Sequence, residues 1–268
     1  SRAGPILRAR IIWFAPVCCG RAGALENCQT VLGASCRAPL IKAYPDQLSA
    51  VLVEPNSLMV EKLRKNYMRF ARSKIVETGI SPSNAATLMA YESQHSMDIF
   101  KFDIDGCECH ILDVLLKDPT WTNPKVIQIE TNHLLMPPLS YIDLCRNDTP
   151  GRSTSRDLDV WGCSIQAAYN VVQPHGYRLL QYDWPDAVFV HEAYLASFPC
   201  FAWLEPENFH AAAFHGHMHA RTHYYRYRHH QTDHSFVNTL EKLTLQASIH
   251  PGKTIEYIRD MKSRTWSK

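Results

Sequence analysis

The sequence predicts an α/β protein with a doubly wound, mostly parallel sheet that ends in an antiparallel hairpin. Short apolar, β-rich runs alternate with helical patterns through the middle of the chain, and such alternation places helices on both faces of a parallel sheet. The strand-like runs 177–182 and 187–191 are separated by a short turn-forming stretch, which is typical of a hairpin. With 268 residues and 46% hydrophobic content, the chain can bury one sizeable core.

The individual elements follow from local patterns. Residues 55–57 form a good helix start, because Asn or Ser can cap a helix and Pro is tolerated in its first turn. Predicted helices also cover residues 108–116 and 164–172. The predicted strands are, in chain order, 11–17, 50–54, 74–78, 98–104, 125–130, 177–182 and 187–191.

In a sheet of this kind a ligand binds at the carboxyl ends of the strands, so the residues just after each strand are the candidates. Glu54 ends the second strand, where a carboxylate can accept hydrogen bonds from ribose hydroxyls or, equally, cap the next helix. Gly20 and Gly23 follow the first strand and would let the backbone approach a ligand closely. A second glycine candidate lies at 31–34, and neither stretch is a full GxGxxG motif.

The stretch Lys101-Phe-Asp-Ile-Asp-Gly-Cys-Glu108 is the most informative part of the sequence. Asp103 and Asp105 lie two residues apart, so their side chains point the same way if the strand continues that far. Together with Glu108 they crowd three carboxylates at one strand end, which is costly unless hydrogen bonds, a cation or a ligand compensate. The alternative is that Asp105 and Glu108 only cap the following helix.

Three segments in order resemble the FkbM-type methyltransferase family over residues 50–198. They are Val53-Glu-Pro-Asn56, Lys101-Phe-Asp-Ile-Asp-Gly-Cys-Glu108 and Val126-Ile-Gln-Ile-Glu130. The resemblance implies a class I methyltransferase-like fold, S-adenosylmethionine as the cofactor and usually O-methylation, here of a hydroxylated small molecule or a sugar. In one departure from the family pattern, Asp105 stands where members usually have Glu.

The resemblance also implies roles for residues at the strand ends. Glu54, with Asn56 beside it, would hold the ribose, and Gly79, Ile80 and Ser81 would lie along the adenine. Asp103 would lie near the methionine moiety or the transferring methyl group.

The sulfonium methyl of such a cofactor is already activated, so the protein must align an oxygen nucleophile and accept its proton. The candidate catalytic residues are Asp103, Glu130 and His133. A divalent cation held by Asp103, Glu130 and Asn132 is the less favoured alternative, because hard oxygen ligands suit Mg²⁺. The acceptor site is expected between residues 134 and 160.

Composition narrows the class of partner and compartment. The net charge of +2 gives no reason to expect a nucleic acid or an acidic membrane as partner. The nine cysteines lack the spacing of a secreted disulfide framework and include no CxxC pair, so we expect no structural zinc site. We expect buried free thiols at Cys107 and Cys109. We also expect a reducing intracellular compartment. Without a run of about 18 apolar residues, no transmembrane helix is expected.

The chain divides into a predicted α/β domain, 1–204, and a His-rich, helical extension, 205–268. The extension suits a basic aromatic surface or packing segment that could contact a protein partner, or alternatively a metal site. The histidines that cluster between residues 210 and 234 are His210, His215, His217, His219, His223, His229, His230 and His234.

Besides an active methyltransferase, two other functions are considered. One is a non-catalytic binding or assembly subunit of a larger complex that keeps the fold, which the incomplete glycine loop favours. The other is a nicotinamide-dependent enzyme, which the missing GxGxxG motif disfavours.

Overall fold

The computed structural model describes residues 9–14, 48–67, 73–92, 97–104, 106–132, 135, 137, 139–145, 162–183 and 185–197. Within this part of the chain, one seven-stranded sheet has the strand order β3-β2-β1-β4-β5-β7-β6. The strands are β1 (Ala9–Phe14), β2 (Leu48–Val53), β3 (Ser73–Val76), β4 (Ile99–Phe102), β5 (Val126–Glu130), β6 (Tyr177–Asp183) and β7 (Asp186–His191).

The pairing confirms the predicted sheet. Strands β1 to β5 pair in parallel, with β1 between β2 and β4 at the centre of the sheet. Strand β7 runs antiparallel to both β5 and β6, as the predicted hairpin requires. The order reverses direction beside β1, so the carboxyl ends of β1, β2 and β4 meet at the point where open α/β sheets bind ligands.

The described part of the chain contains four α-helices. They are α1 (Ser57–Tyr67), α2 (Pro82–Glu92), α3 (Glu108–Lys117) and α4 (Ile165–Val172). Ser164 caps α4 by accepting a hydrogen bond from the backbone N–H of Ala167 at 3.1 Å. The sequence patterns identified α1, α3 and α4 to within one or two residues at their start but gave no helix between β3 and β4. Helix α2 begins after Ser81, whose carbonyl accepts from the N–H groups of Asn84 and Ala85.

The largest part of the core lies between β4, β5 and α3. Phe100, Phe102 and Ile127 from the strands and Ile111 and Leu112 from α3 are fully buried in one cluster. Burial of side chains this size stabilises by about 2 kcal/mol each, which fixes β4 and β5 against the helix. The carboxyl ends of these two strands are therefore held in a defined place by apolar packing.

The structure corrects the expectation of free thiols. Cys107 is paired with Cys145, and Cys109 with Cys163, with Cα–Cα distances of 5.3 and 6.0 Å. The partners are 38 and 54 residues apart in sequence, so spacing alone did not reveal them. Helices in the described part of the chain are too short and too polar to cross a membrane.

Several predicted features lie outside the described residues. They are the glycines Gly20, Gly23 and Gly33, the candidates Asp105 and His133, and the His-rich extension with the domain boundary at 204/205. These remain predictions.

Candidate functional site

Glu54 lies immediately after β2, where the sequence placed it, and is fully buried. Its Oε1 accepts a hydrogen bond from the backbone N–H of Asn56 at 2.8 Å. Its Oε2 is also buried and has no hydrogen-bond partner among the described residues. Burial raises the pKa of this carboxyl, and the bond from Asn56 partly offsets the rise. A buried oxygen without a hydrogen-bond partner has lost its contacts with water and can still accept a hydrogen bond. This is the state expected of a group that binds a polar ligand.

Asn56 has two structural functions at the same strand end. Its side-chain oxygen accepts from the backbone N–H groups of Leu58 and Met59, at 3.0 and 3.3 Å, and so caps α1. Its own backbone N–H orients the Glu54 carboxylate. Asn56 therefore acts on the site indirectly, because it orients Glu54 and fixes the start of α1.

The loop predicted to contact adenine, Gly79–Ser81, follows β3, the strand next to β2 at the edge of the sheet. Asn84 holds this loop, because its amide donates to the carbonyl of Gly79 at 2.9 Å and its oxygen accepts from the backbone N–H of Ser81 at 2.8 Å. The Ile80 side chain is buried in the core cluster. The described edge of β2 and β3 is further joined by a bond from the Glu54 N–H to the Val76 carbonyl at 3.1 Å.

Asp103 lies just after β4 and forms a buried ion pair that the sequence did not predict. Lys101, whose side chain is 1% exposed, lies 3.1 Å from Asp103 Oδ2 and 3.5 Å from Asp186 Oδ1. A buried ammonium group needs such partners, because an uncompensated charge in the interior is very costly. Lys101 thus lies between two carboxylates at this end of the strand.

A further acidic group borders this cluster. Glu130, the last residue of β5, is directly opposite Asp186 in the antiparallel register of β5 and β7. Directly opposed like charges are unfavourable unless a cation is close. Burial, and in addition the charges of Asp186 and Glu130, raise the pKa of the Tyr182 hydroxyl, which lies 3.3 Å from the Thr131 hydroxyl. The carboxyl ends of β4 and β5 therefore form an electronegative edge.

Glu108 differs from Asp103 in its function. It begins α3, is fully buried, and its Oε1 accepts from the backbone N–H groups of Ile104 and Gly106 at 3.0 and 2.9 Å. These bonds turn the chain directly after β4. The strand consequently ends at Phe102, two residues before the predicted end. Burial raises the Glu108 pKa to about 7, against the lowering effect of the backbone bonds and with a smaller raising contribution from Asp103.

The second oxygen of Glu108 faces Gly162. In the part of the chain that is described, Glu108 Oε2 has no hydrogen-bond partner. Gly162 has a φ of 63°, and a Cβ there would lie 3.3 Å from the Gly106 carbonyl and 3.5 Å from Glu108 Oε2. Glycine is needed at this position because the backbone is left-handed and packs directly against the turn.

The alternative of a divalent cation held by Asp103, Glu130 and Asn132 stays a prediction. Among residues whose placement is described, no group of three or more His, Cys, Asp or Glu side chains could hold a metal ion. Asn132, the third proposed ligand, is 1% exposed, and its backbone N–H donates to the Cys163 carbonyl at 2.6 Å.

The sequence reasoning missed Lys101, Asp186 and the two cysteine partners Cys145 and Cys163. A lysine in the middle of an apolar strand was a usable signal, because a buried ammonium group predicts nearby carboxylates. Asp186 could have been found only from the register of the hairpin against β5.

Comparisons with known proteins give a likeness to solved structures alone. No protein-family model matches the chain, and no curated protein matches its sequence. The chain is similar to the CurJ carbon methyltransferase, with a TM-score of 0.38 and 11% identity over 70% of this chain and 49% of that one. It is also similar to the CMeT domain of the citrinin polyketide synthase, with a TM-score of 0.37 and 9% identity over 70% of this chain and 47% of that one. The matched part thus spans about half the length of each structure.

Proposed function

We propose that the chain is an S-adenosylmethionine-dependent methyltransferase of FkbM type that transfers the methyl group to a hydroxyl oxygen of a small molecule or a sugar. The observation that carries the proposal is the state of Glu54, which is fully buried after β2 with one oxygen positioned by Asn56 and the other without a described partner. A carboxylate at that position of a doubly wound sheet binds the hydroxyls of a ribose.

The residues around Glu54 fit a nucleoside. The free Glu54 oxygen can accept a ribose hydroxyl, and the Asn56 bond fixes the direction of the carboxylate before the ligand arrives. The Gly79–Ser81 loop at the neighbouring strand end, held in place by Asn84, is the surface on which we place the base.

The electronegative edge at β4 and β5 fits a cation. When bound, S-adenosylmethionine supplies a methyl group that is already activated on a positively charged sulfur. Asp103, Asp186 and Glu130 bring three carboxylates to this edge, and Lys101 lies within 3.5 Å of the first two. Opposite charge in a partly buried site favours a cationic ligand over a neutral one.

Proton acceptance is assigned to Glu130, with His133 as the second candidate from the sequence. Asp103 is already engaged by Lys101 at 3.1 Å, so we assign it a binding rather than a proton-accepting function. Glu130 ends β5 on the same edge and is partly exposed, which allows an acceptor hydroxyl to approach it. We assign Asp103 to stabilising the cationic end of the cofactor.

The experiment is calorimetric titration of the full chain with S-adenosylmethionine, for the wild type, Glu54→Gln and Glu61→Gln. We expect micromolar binding by the wild type and a loss of at least tenfold in Glu54→Gln, because an amide carries less negative charge toward the ribose hydroxyls. Glu61 is the matched control, since it is a 61%-exposed glutamate in an i,i+4 pair with Lys65 on the solvent face of α1. Its substitution is expected to change the affinity less than twofold.

Two results would change the proposal. Absence of binding by folded wild-type protein would remove the methyltransferase function. Binding that depends on Glu54, but with no methyl transfer to any compound in a screen of hydroxylated acceptors, would favour the non-catalytic subunit. The ion pair between Lys101 and Asp103 is the observation that keeps this second function open, because it occupies one of the candidate bases.

A further inference from the structure

The buried lysine of β4 reaches across the neighbouring strand. Lys101 pairs with Gln128 of β5 in the parallel register, and β5 separates β4 from β7 in the sheet. Neighbouring strands lie about 5 Å apart, so the backbones of β4 and β7 are about 10 Å apart. Lys101 Nζ nevertheless donates a hydrogen bond to Oδ1 of Asp186, the first residue of β7, at 3.5 Å. The two side chains therefore meet over β5, on the face that carries Gln128.

Asp186 is a fixed anchor for this ammonium group. It lies opposite Glu130 in the antiparallel register of β5 and β7, its side chain is only 11% exposed, and it has further interactions besides Lys101. The Lys101 side chain is 1% exposed. A lysine enclosed to this extent cannot move its charge freely, because leaving its partners would place an uncompensated charge in the interior. The ammonium group is therefore held in one place over β5.

Asp103 depends on this ammonium group for the direction of its side chain. The pairing of β4 with β5 fixes the backbone as far as Phe102, the last strand residue. Asp103 comes next, and the following backbone N–H, of Ile104, already belongs to the turn that Glu108 closes. Strand register therefore does not set the side-chain torsions of Asp103. Among the residues that the structure describes, Lys101 is the ion-pair partner of this carboxylate, at 3.1 Å from Oδ2.

We propose that Lys101 is a positioning residue of the site: anchored on Asp186, its ammonium group turns the Asp103 carboxylate toward the cationic end of the cofactor. This inference rests on the proposed function. The ammonium group approaches Oδ2 and the Asp103 side chain is 16% exposed, so the cofactor binds at Oδ1, on the open side. A carboxylate that is held in its binding direction before the ligand arrives loses less conformational freedom on binding, which raises the affinity.

Orientation and net charge predict opposite effects of removing this lysine. Lys101 carries the same sign of charge as the sulfonium and amino groups of S-adenosylmethionine, so its charge alone opposes binding of the cofactor. If Lys101 acted only through its charge, Lys101→Met would tighten binding. If it positions Asp103, Lys101→Met weakens binding, because the carboxylate loses its fixed direction. The sign of the change in affinity therefore distinguishes the two effects.

The experiment is calorimetric titration of the full chain with S-adenosylmethionine, for the wild type, Lys101→Met, Asp103→Asn and the double variant. We expect binding to weaken at least fivefold in Lys101→Met and at least tenfold in Asp103→Asn. In the double variant the affinity should stay within twofold of Asp103→Asn, because a residue that acts through Asp103 has no carboxylate left to position. A lysine that only stabilises the fold would leave the affinity of the folded protein unchanged in both backgrounds.

Two controls show whether the effect is confined to Asp103. Lys65→Met removes an exposed lysine from α1 and should change the affinity less than twofold. Glu54 follows β2 and has no described contact with Lys101, so Lys101→Met should weaken binding by the same factor in Glu54→Gln as in the wild type. A different factor in Glu54→Gln would show a general distortion of the site and would overturn the assignment to Asp103.

A second background keeps the test valid if circular dichroism shows that Lys101→Met does not fold. The same comparison is then made in Asp186→Asn, where the asparagine oxygen still accepts the hydrogen bond from Lys101. Removing the Asp186 carboxylate leaves only Asp103, with 16% of its side chain exposed, without its cation when Lys101 is replaced. The expected ratios of affinities are the same as in the wild-type background.

The outcomes separate the two proposals. Unchanged or tighter binding in the folded Lys101→Met variant overturns the positioning function and leaves the proposed function intact. A further fivefold loss in the double variant, relative to Asp103→Asn, does the same. Folded wild-type protein that binds no S-adenosylmethionine overturns the proposed function, and this inference with it.

Discussion

The carboxyl ends of β2 and β4 each carry a fully buried glutamate, but the two glutamates are held in different ways. Glu54 accepts one backbone bond, and the neighbouring elements leave its second oxygen without a described partner. Glu108 also has one oxygen without a described partner, but its other oxygen accepts two backbone bonds from its own turn, between two disulfide-bonded cysteines and against Gly162. Burial of a carboxyl therefore does not identify a binding site by itself. The difference lies in whether the surrounding backbone uses the carboxyl to close a turn.

The largest expected effect comes from the buried lysine at the end of β4. Lys101→Met removes the cation between Asp103 and Asp186, whose side chains are only 16% and 11% exposed. Breaking a buried ion pair by deleting one partner costs about 3–5 kcal/mol, because the remaining charges are left uncompensated. We expect a loss of this size in the free energy of unfolding, measured by urea denaturation at pH 7.

The matched control is Lys65→Met on the solvent face of α1. Lys65 pairs with Glu61, and both side chains are mostly exposed, so its loss should change stability by about 0.5 kcal/mol or less. Similar losses of unfolding free energy in the two variants would contradict the prediction, because they would show that Asp103 and Asp186 do not need Lys101 as a compensating charge.

The second effect is a pH dependence that distinguishes the two glutamates. Burial raises the Glu108 pKa from 4.5 to about 7, so between these values the folded state keeps a proton that the unfolded chain has lost. Stability contributed by this group is therefore lost as pH rises from 4.5 to 7, by about 3 kcal/mol at 1.36 kcal/mol per unit. Urea denaturation at pH 5 and pH 8 measures most of this loss as a difference in the free energy of unfolding.

Substitution by glutamine shows which glutamate causes the change of the free energy of unfolding with pH. Glu108→Gln cannot ionise and should remove most of the loss of stability between pH 5 and pH 8. Glu54→Gln, measured without ligand, should also reduce the loss of stability between pH 5 and pH 8, but by less than Glu108→Gln. The sign is the same because burial raises the Glu54 pKa as well, and the bond from Asn56 partly offsets that rise. A slope that is the same in wild type and Glu108→Gln would show that Glu108 does not titrate in this range.

The sequence predicted the sheet well, because strand–helix alternation is a local pattern. It also located Glu54, since an acid that directly follows an apolar run needs no tertiary information. The cluster of Lys101, Asp103 and Asp186 depends on the register of β7 against β5, which no local pattern contains. The disulfides depend on segments 38 and 54 residues apart approaching one helix turn. Both were therefore beyond prediction from residue spacing, which is why the expectation of free thiols at Cys107 and Cys109 was wrong.

The smallest effect tests how Glu54 is positioned. Asn56 caps α1 with its side chain, but it orients Glu54 with its backbone N–H, which every residue except proline retains. Asn56→Ala should therefore lower the free energy of unfolding by about 1 kcal/mol, the usual value of a helix cap. Affinity for S-adenosylmethionine should stay within threefold of wild type. Asn56→Asp preserves the cap and should restore most of the stability. A tenfold loss of affinity in Asn56→Ala, with stability restored in Asn56→Asp, would instead place the Asn56 side chain in direct contact with the cofactor.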